Sequence, residues 1–161
     1  MKNLWPDSFQ QKEVEIPETA LNMQGEILLK MTEGKVFAEA IKKNVNLVPS
    51  EIRNDFNYEY KLIGKSLKDY SYRIFYLSYP ITIYPLNLKI NKEILSDIES
   101  YLSSIEGVTN FSDHTEVENE ASFSILLGII LTSNRMKDIV SSILKLSDKN
   151  QDKENTNEEI F

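Results

Sequence analysis

An α+β domain, with helices gathered on one antiparallel sheet, is the fold this sequence predicts, on three observations. Strand-like alternation is confined to the middle of the chain, between about residues 36 and 90. Helical stripes lie before and after it, and this segregation favours α+β over an alternating, doubly wound fold. The apolar fraction is 41% and the charged fraction 27%, which supplies a packed core and excludes disorder throughout. At 161 residues, one domain is expected. The boundaries are an extended arm over 1–15, the domain over 16–147, and a disordered acidic tail over 148–161.

The arm is polar apart from Leu4, Trp5, Phe9 and Val14, and Trp5 and Phe9 are expected to pin it to the domain. Pro17 suits the first position of a helix, Glu18 its first turn, and Gly34 its stop. Ala20, Met23, Ile27 and Met31 mark the face expected to turn inward. About four antiparallel strands follow. Val36–Ile41 is the first. Phe56–Leu62 alternates cleanly, so one of its faces should be wet. Tyr70–Tyr79 is apolar or aromatic on both parities, as in a central strand covered on both sides. In the fourth, the apolar parity switches at Pro85, from Ile81 and Ile83 to Leu86, Leu88 and Ile90, which predicts a bulge or bend on an edge strand.

Three helices packed on the sheet complete the reading. Asn91 caps the first, whose stripe is Ile94, Leu95, Ile98, Tyr101, Leu102 and Ile105. Thr115-Glu116-Val117-Glu118 matches a capping box and predicts the start of the second. That helix ends in Ile125–Leu131, a run apolar all round that reads as a buried central helix. Ser133 or Asn134 caps the third, with Met136, Ile139, Val140, Ile143 and Leu144 facing inward.

Chemistry is sparse. Zero cysteines removes disulfides, thiolate metal sites and cysteine nucleophiles. The single histidine, His114, sits beside Asp113, Glu116 and Glu118 at a spacing that fits neither a calcium loop nor a helical zinc pair. An acidic first helical turn explains those carboxylates better. Ser124 and Ser133 lack the context of a nucleophile elbow, and the five glycines form no phosphate cradle. No enzyme activity, metal or cofactor is expected. No apolar run is long enough to cross a bilayer and the N-terminus has no secretory stretch, so a cytoplasmic address is expected.

Two features bear on binding. Tyr58, Tyr60, Tyr72, Tyr76 and Tyr84 lie among Arg53, Lys61, Lys65, Lys68 and Arg73, a basic stretch within a chain of net charge −7. Aromatics among cations can stack bases and neutralise phosphates, which makes Tyr58, Tyr60, Lys61, Tyr72 and Arg73 a candidate single-stranded nucleic-acid surface. Packing of these tyrosines beneath the helices is the competing and favoured expectation. The tail holds five acids and two lysines and ends in Ile160 and Phe161, a candidate docking tip for a partner pocket. Glu158-Glu159-Ile160-Phe161 resembles the acidic, phenylalanine-terminated tip of bacterial and phage single-stranded-DNA-binding proteins, although it lacks the proline before the phenylalanine. A helix-rich body also departs from that family's five-stranded barrel. Asn3-Leu4-Trp5-Pro6, Pro17-Glu18 and the Tyr72–Tyr84 stretch resemble small bacterial proteins, some from mobile elements, to which no activity is attached.

The expected function is therefore a non-enzymatic module that binds another protein: an accessory subunit, an inhibitor or a small chaperone. Single-stranded nucleic-acid binding through the tyrosine- and lysine-rich sheet is the first alternative. An enzyme with a site assembled from distant residues is the second. Oligomeric state and the partner's identity are left open.

Overall fold

A computed structural model describes residues 1–68 and 70–160, with side chains described as far as 149. Its elements run α1 (Pro17–Met31), β1 (Val36–Lys42), β2 (Phe56–Gly64), β3 (Ser71–Tyr79), β4 (Leu86–Ile90), α2 (Lys92–Leu102), β5 (Val108–Asn110), β6 (Thr115–Val117), α3 (Glu120–Leu131) and α4 (Asn134–Ile160). Two short 3-10 turns, Val45–Leu47 and Ser50–Ile52, join β1 to β2. The class is α+β, with four helices and one antiparallel sheet of six strands, ordered β1-β2-β3-β4-β6-β5. Among the described residues no helix is long and apolar enough to cross a membrane.

Alternation along the strands sorts the side chains between two unlike faces. Tyr58, Tyr60 and Leu62 of β2, Phe75, Leu77 and Tyr79 of β3, and Leu86, Leu88 and Ile90 of β4 join buried residues of all four helices in one core. The opposite face carries Asn57, Glu59, Lys61, Arg73, Tyr76 and Ser78, of which Asn57, Glu59 and Ser78 are buried and Arg73 is exposed. A bulge makes this sorting possible. Tyr60 pairs with Phe75 and Lys61 with Arg73, so Ile74 is the extra residue and both Ile74 and Phe75 point into the core. The β3 segment, apolar on both parities, is thus a central strand whose core face packs against the helices, while its other face is buried at Ser78 and exposed at Arg73.

Four further expectations are corrected. The sheet has six strands because Val108–Asn110 and Thr115–Val117 form a short hairpin that pairs with β4. Thr115 is therefore a strand residue opposite Leu88, and α3 starts later, where the Asn119 side chain accepts the Ser122 backbone N–H at 2.9 Å. β4 is interior rather than at an edge. Ile81–Pro85 forms a loop in which Ile83 adopts φ 74, an unusual value for a β-branched residue. α3 is not buried all round, since Ile125 is 55% exposed and Ser124 and Gly128 face solvent.

α1 lies along the outermost strand, β1. Gly25 makes this possible, because a Cβ there would stand 1.7 Å from the Ala38 carbonyl oxygen. The Asn22 Oδ1 accepts the Ala40 backbone N–H at 2.9 Å, and the buried Tyr60 hydroxyl donates to the Leu21 carbonyl at 2.8 Å. The face that α1 buries is therefore Leu21, Gly25 and Thr32, not the Ala20, Met23, Ile27 and Met31 stripe. At its far end Lys35 Nζ meets Asp148 of α4 at 2.9 Å, and that hydrogen bond and charge pair raise the Lys35 pKa. The expected cap of α4 is observed, with Ser133 Oγ accepting the Met136 N–H.

Candidate functional site

Because α1 sits on the sheet's edge, a gap remains between it and the α3–α4 pair, and this gap is the candidate site. It comprises two hollows that meet at Gln24. The first, about 130 Å³, lies between Pro17, Ala20 and Met23 of α1 and Phe123 and Leu127 of α3, with Glu15, Tyr84 and Glu120 at its outer end. The second, about 230 Å³, lies between Ile27 and Met31 of α1 and Leu131, Met136 and Val140 across the gap. Its floor is the sheet itself: Ala38, Tyr60, Leu62 and Ile74. From Pro17 to Met31 the groove follows about 21 Å of helix at 1.5 Å per residue.

Its α1 wall is unusually apolar for a surface. Met23 is 50% exposed, Ile27 44% and Met31 76%. Three methionines, Met23, Met31 and Met136, line the groove, and flexible thioethers can reshape themselves around a bound side chain. The second hollow offers chiefly burial of apolar groups, whereas the lining of the first also includes Glu15, Tyr84, Glu120 and Ser124. Charge is concentrated at the outer end, where the Glu15 backbone N–H donates to Glu120 Oε2 at 3.3 Å. Burial, then the carboxylates of Glu120 and Glu15, pushes the Tyr84 phenol up to about 12. That end of the groove is negative.

The residues of the candidate nucleic-acid surface are placed on opposite sides of the sheet. Tyr58 and Tyr60 are 5% and 1% exposed beneath the helices, where burial raises both phenol pKa values. The Tyr58 hydroxyl donates to Glu18 at 3.0 Å and its ring stacks on Tyr79. Tyr72 is half-buried on the same side, its hydroxyl donating to Glu93 at 3.2 Å. Lys61 and Arg73 point the other way. Lys61 meets the buried Glu59 at 3.2 Å, and Lys43 joins that acid at 3.5 Å. Arg73 lies over the Tyr76 ring at 4.6 Å and donates to its hydroxyl. Lys61 and Arg73 are thus engaged, Tyr58 and Tyr60 belong to the core with Tyr72 packed against it, and Tyr76 stays beside Arg73.

His114 Nδ1 approaches Asp113 at 2.7 Å, which lowers the Asp113 pKa, and its ring stacks on Phe111 in the β5–β6 turn. Among the described residues, no three histidine or carboxylate side chains gather as a metal site. Phe161 and the side chain of Ile160, the candidate docking tip, lie outside what is described, as do the other side chains from 150 onward, while the backbone of the expected tail over 148–160 continues α4. In the arm, Trp5 and Phe9 are each 74% exposed and meet one another edge to face at 6.1 Å, so they do not pin it to the domain. Polar links do that: Lys12 Nζ to the Thr82 carbonyl at 2.6 Å, and Glu15 to Glu120.

Sequence reasoning missed the groove because it chose the wrong one of two overlapping stripes on α1. Leu21, Gly25, Leu28 and Thr32 share a face, and the glycine at its centre was the available signal for close helix–strand approach. Comparison of the chain with protein-family models, curated proteins and solved structures finds no match.

Proposed function

We propose that this protein is a non-enzymatic interaction module that binds a protein segment in the groove between α1 and the α3–α4 pair. The observation that carries this reading is the exposure of Met23, Ile27 and Met31 beside a slot floored by Tyr60, Leu62 and Ile74. Large apolar side chains grouped along a concave surface mark a binding site, whereas isolated ones do not. Burying each is worth about 1.5–3 kcal/mol when fully exposed and proportionately less here. An accessory subunit, an inhibitor and a small chaperone all use such a surface, and the reading does not choose among them.

The test places a photo-crosslinking amino acid at Met31 and, separately, at Lys42. A discrete protein adduct through Met31, absent through Lys42 and lost when Ile27→Asp is added, is the expected result. Equal labelling from both positions, or none from Met31, removes the groove from consideration. An oligonucleotide titration of the same protein checks the alternative class: salt-sensitive binding lost on Lys61→Glu with Arg73→Glu would transfer the function to the sheet face that carries those two cations.

A further inference from the structure

The molecule presents an apolar groove and an exposed apolar arm. Leu4 is 85% exposed, and Trp5 and Phe9, each 74% exposed, meet edge to face. We infer that the arm of one copy lies in the groove of a second copy, with Trp5 and Phe9 entering the two hollows that meet at Gln24. This rests on the groove being a docking surface and names the second chain as its partner.

An apolar cavity of about 150 Å³ accepts a benzene ring; the second hollow, about 230 Å³, exceeds this, and the first, about 130 Å³, takes a ring only in part. Their α1 walls, centred near Leu21 and near Ile27 to Leu28, lie about 10 Å apart along the helix. Trp5 and Phe9 are four residues apart, about 13 Å when fully extended. Trp5 and Asp7 lie at bends that bring the Trp5 and Phe9 rings to 6.1 Å, so seating both rings requires the segment to straighten toward the extended backbone that Pro6 favours at Trp5.

The arm leaves from the groove's outer end, where Lys12 is tied to the Thr82 carbonyl and Glu15 to Glu120, yet it does not enter its own groove, since Trp5 and Phe9 remain 74% exposed. The ten residues from Trp5 to Glu15 span up to about 33 Å, enough to reach the groove of a second copy. Reciprocal exchange gives a two-fold, self-complementary interface. Each aromatic carries roughly 150–250 Å². At 74% exposure the four rings of two arms bury roughly 450–750 Å² and cover about as much groove, a total of roughly 900–1,500 Å² that reaches the lower part of the range of stable dimers.

The only tryptophan in the chain is Trp5, so its emission reports the seat directly. The test uses the full chain, sedimentation for mass, and tryptophan fluorescence. As concentration rises through about 10 µM, the mass should pass from 18.6 kDa to twice that value while Trp5 emission shifts to shorter wavelength. Ile27→Asp, and separately Trp5→Ala with Phe9→Ala, should each remain monomeric. A mixture of these two variants should regain a dimer, because one supplies an arm and the other a groove. That result excludes misfolding as the cause of either loss. Mass fixed at 18.6 kDa, a blue-shifted Trp5 in a monomer, or a dimer indifferent to Ile27→Asp would each overturn the inference. A monomer that still gives a Met31 adduct with a different protein would overturn the arm exchange alone and leave the groove reading standing.

Discussion

Replacing Gly25 with alanine should destabilise the protein, against the usual gain of about 1 kcal/mol for this change inside a helix. The new Cβ would stand 1.7 Å from the Ala38 oxygen and 2.7 Å from its carbonyl carbon. Both are backbone atoms, so no side-chain rotation relieves the clash and α1 must lift from β1. Overpacking of this kind costs about 1–3 kcal/mol. The Tyr60–Leu21 and Asn22–Ala40 hydrogen bonds cross the same interface, and loosening them adds about 1 kcal/mol each. After subtracting the helix-propensity gain, a net loss of roughly 2–4 kcal/mol is expected, equivalent to a Tm lower by about 5–15 °C. Urea unfolding followed by far-UV circular dichroism measures this as a lower midpoint at unchanged slope. Gly128 of α3 is the control, since nothing lies within 4 Å of its added Cβ. Its alanine variant should gain about 0.5–1 kcal/mol. A Gly25→Ala protein as stable as the parent would show that α1 does not sit against β1 as described.

The remaining predictions concern caps, the buried acid and alkaline pH. Asn119→Ala should cost about 1 kcal/mol by removing the α3 cap, whereas Glu118→Ala, on the residue that would close a capping box, should stay within about 0.5 kcal/mol by the same urea assay. Glu59→Ala should lower stability by about 1–2 kcal/mol, because Lys43 and Lys61 lose their shared partner while remaining near enough to solvent to avoid a larger penalty; an unchanged midpoint would rule out a role for that triad. Burial raises the pKa of Tyr58, Tyr60, Tyr72, Tyr79 and Tyr84 above the ordinary 10.0, to about 12 for Tyr84. The folded state therefore keeps protons that the unfolded chain releases near pH 10, so this stabilisation is complete below pH 10 and lost as pH rises through 12. Tyrosinate absorbance should appear together with loss of helix signal; tyrosines that ionise near pH 10 in an intact fold would contradict their burial.

The parts of the fold legible in the sequence are those where period and burial agree. Met136–Leu144 buries the residues that its spacing selects. Phe56–Leu62 buries Tyr58, Tyr60 and Leu62 as expected, but its other face is not wet, since Asn57 and Glu59 are 4% and 6% exposed. The reading failed where two patterns overlapped. On α1, bulky Met23, Ile27 and Met31 outweighed a face whose centre is glycine, because hydrophobicity registers side-chain size but not close backbone approach. At Thr115–Glu118 a local capping signal competed with pairing to β4, and the partner strand lies 27 residues upstream at Leu88. Along β3 the bulge at Ile74 changed parity, and only β2 across the ladder reveals that shift. The groove is a property of the gap between elements. No local window of sequence encodes how far apart two helices stand.

The position of α1 also bears on how this sheet avoids its own kind. An outer strand displays free amides and carbonyls that invite pairing by a foreign chain, the usual beginning of aggregation. Here Asn22 occupies the Ala40 amide and the helix lies over the strand that would serve as template. A variant that loosens α1 would thus expose a cross-β nucleation edge at the same moment that it dismantles one groove wall, so that loss of binding and onset of fibrillar growth should appear together.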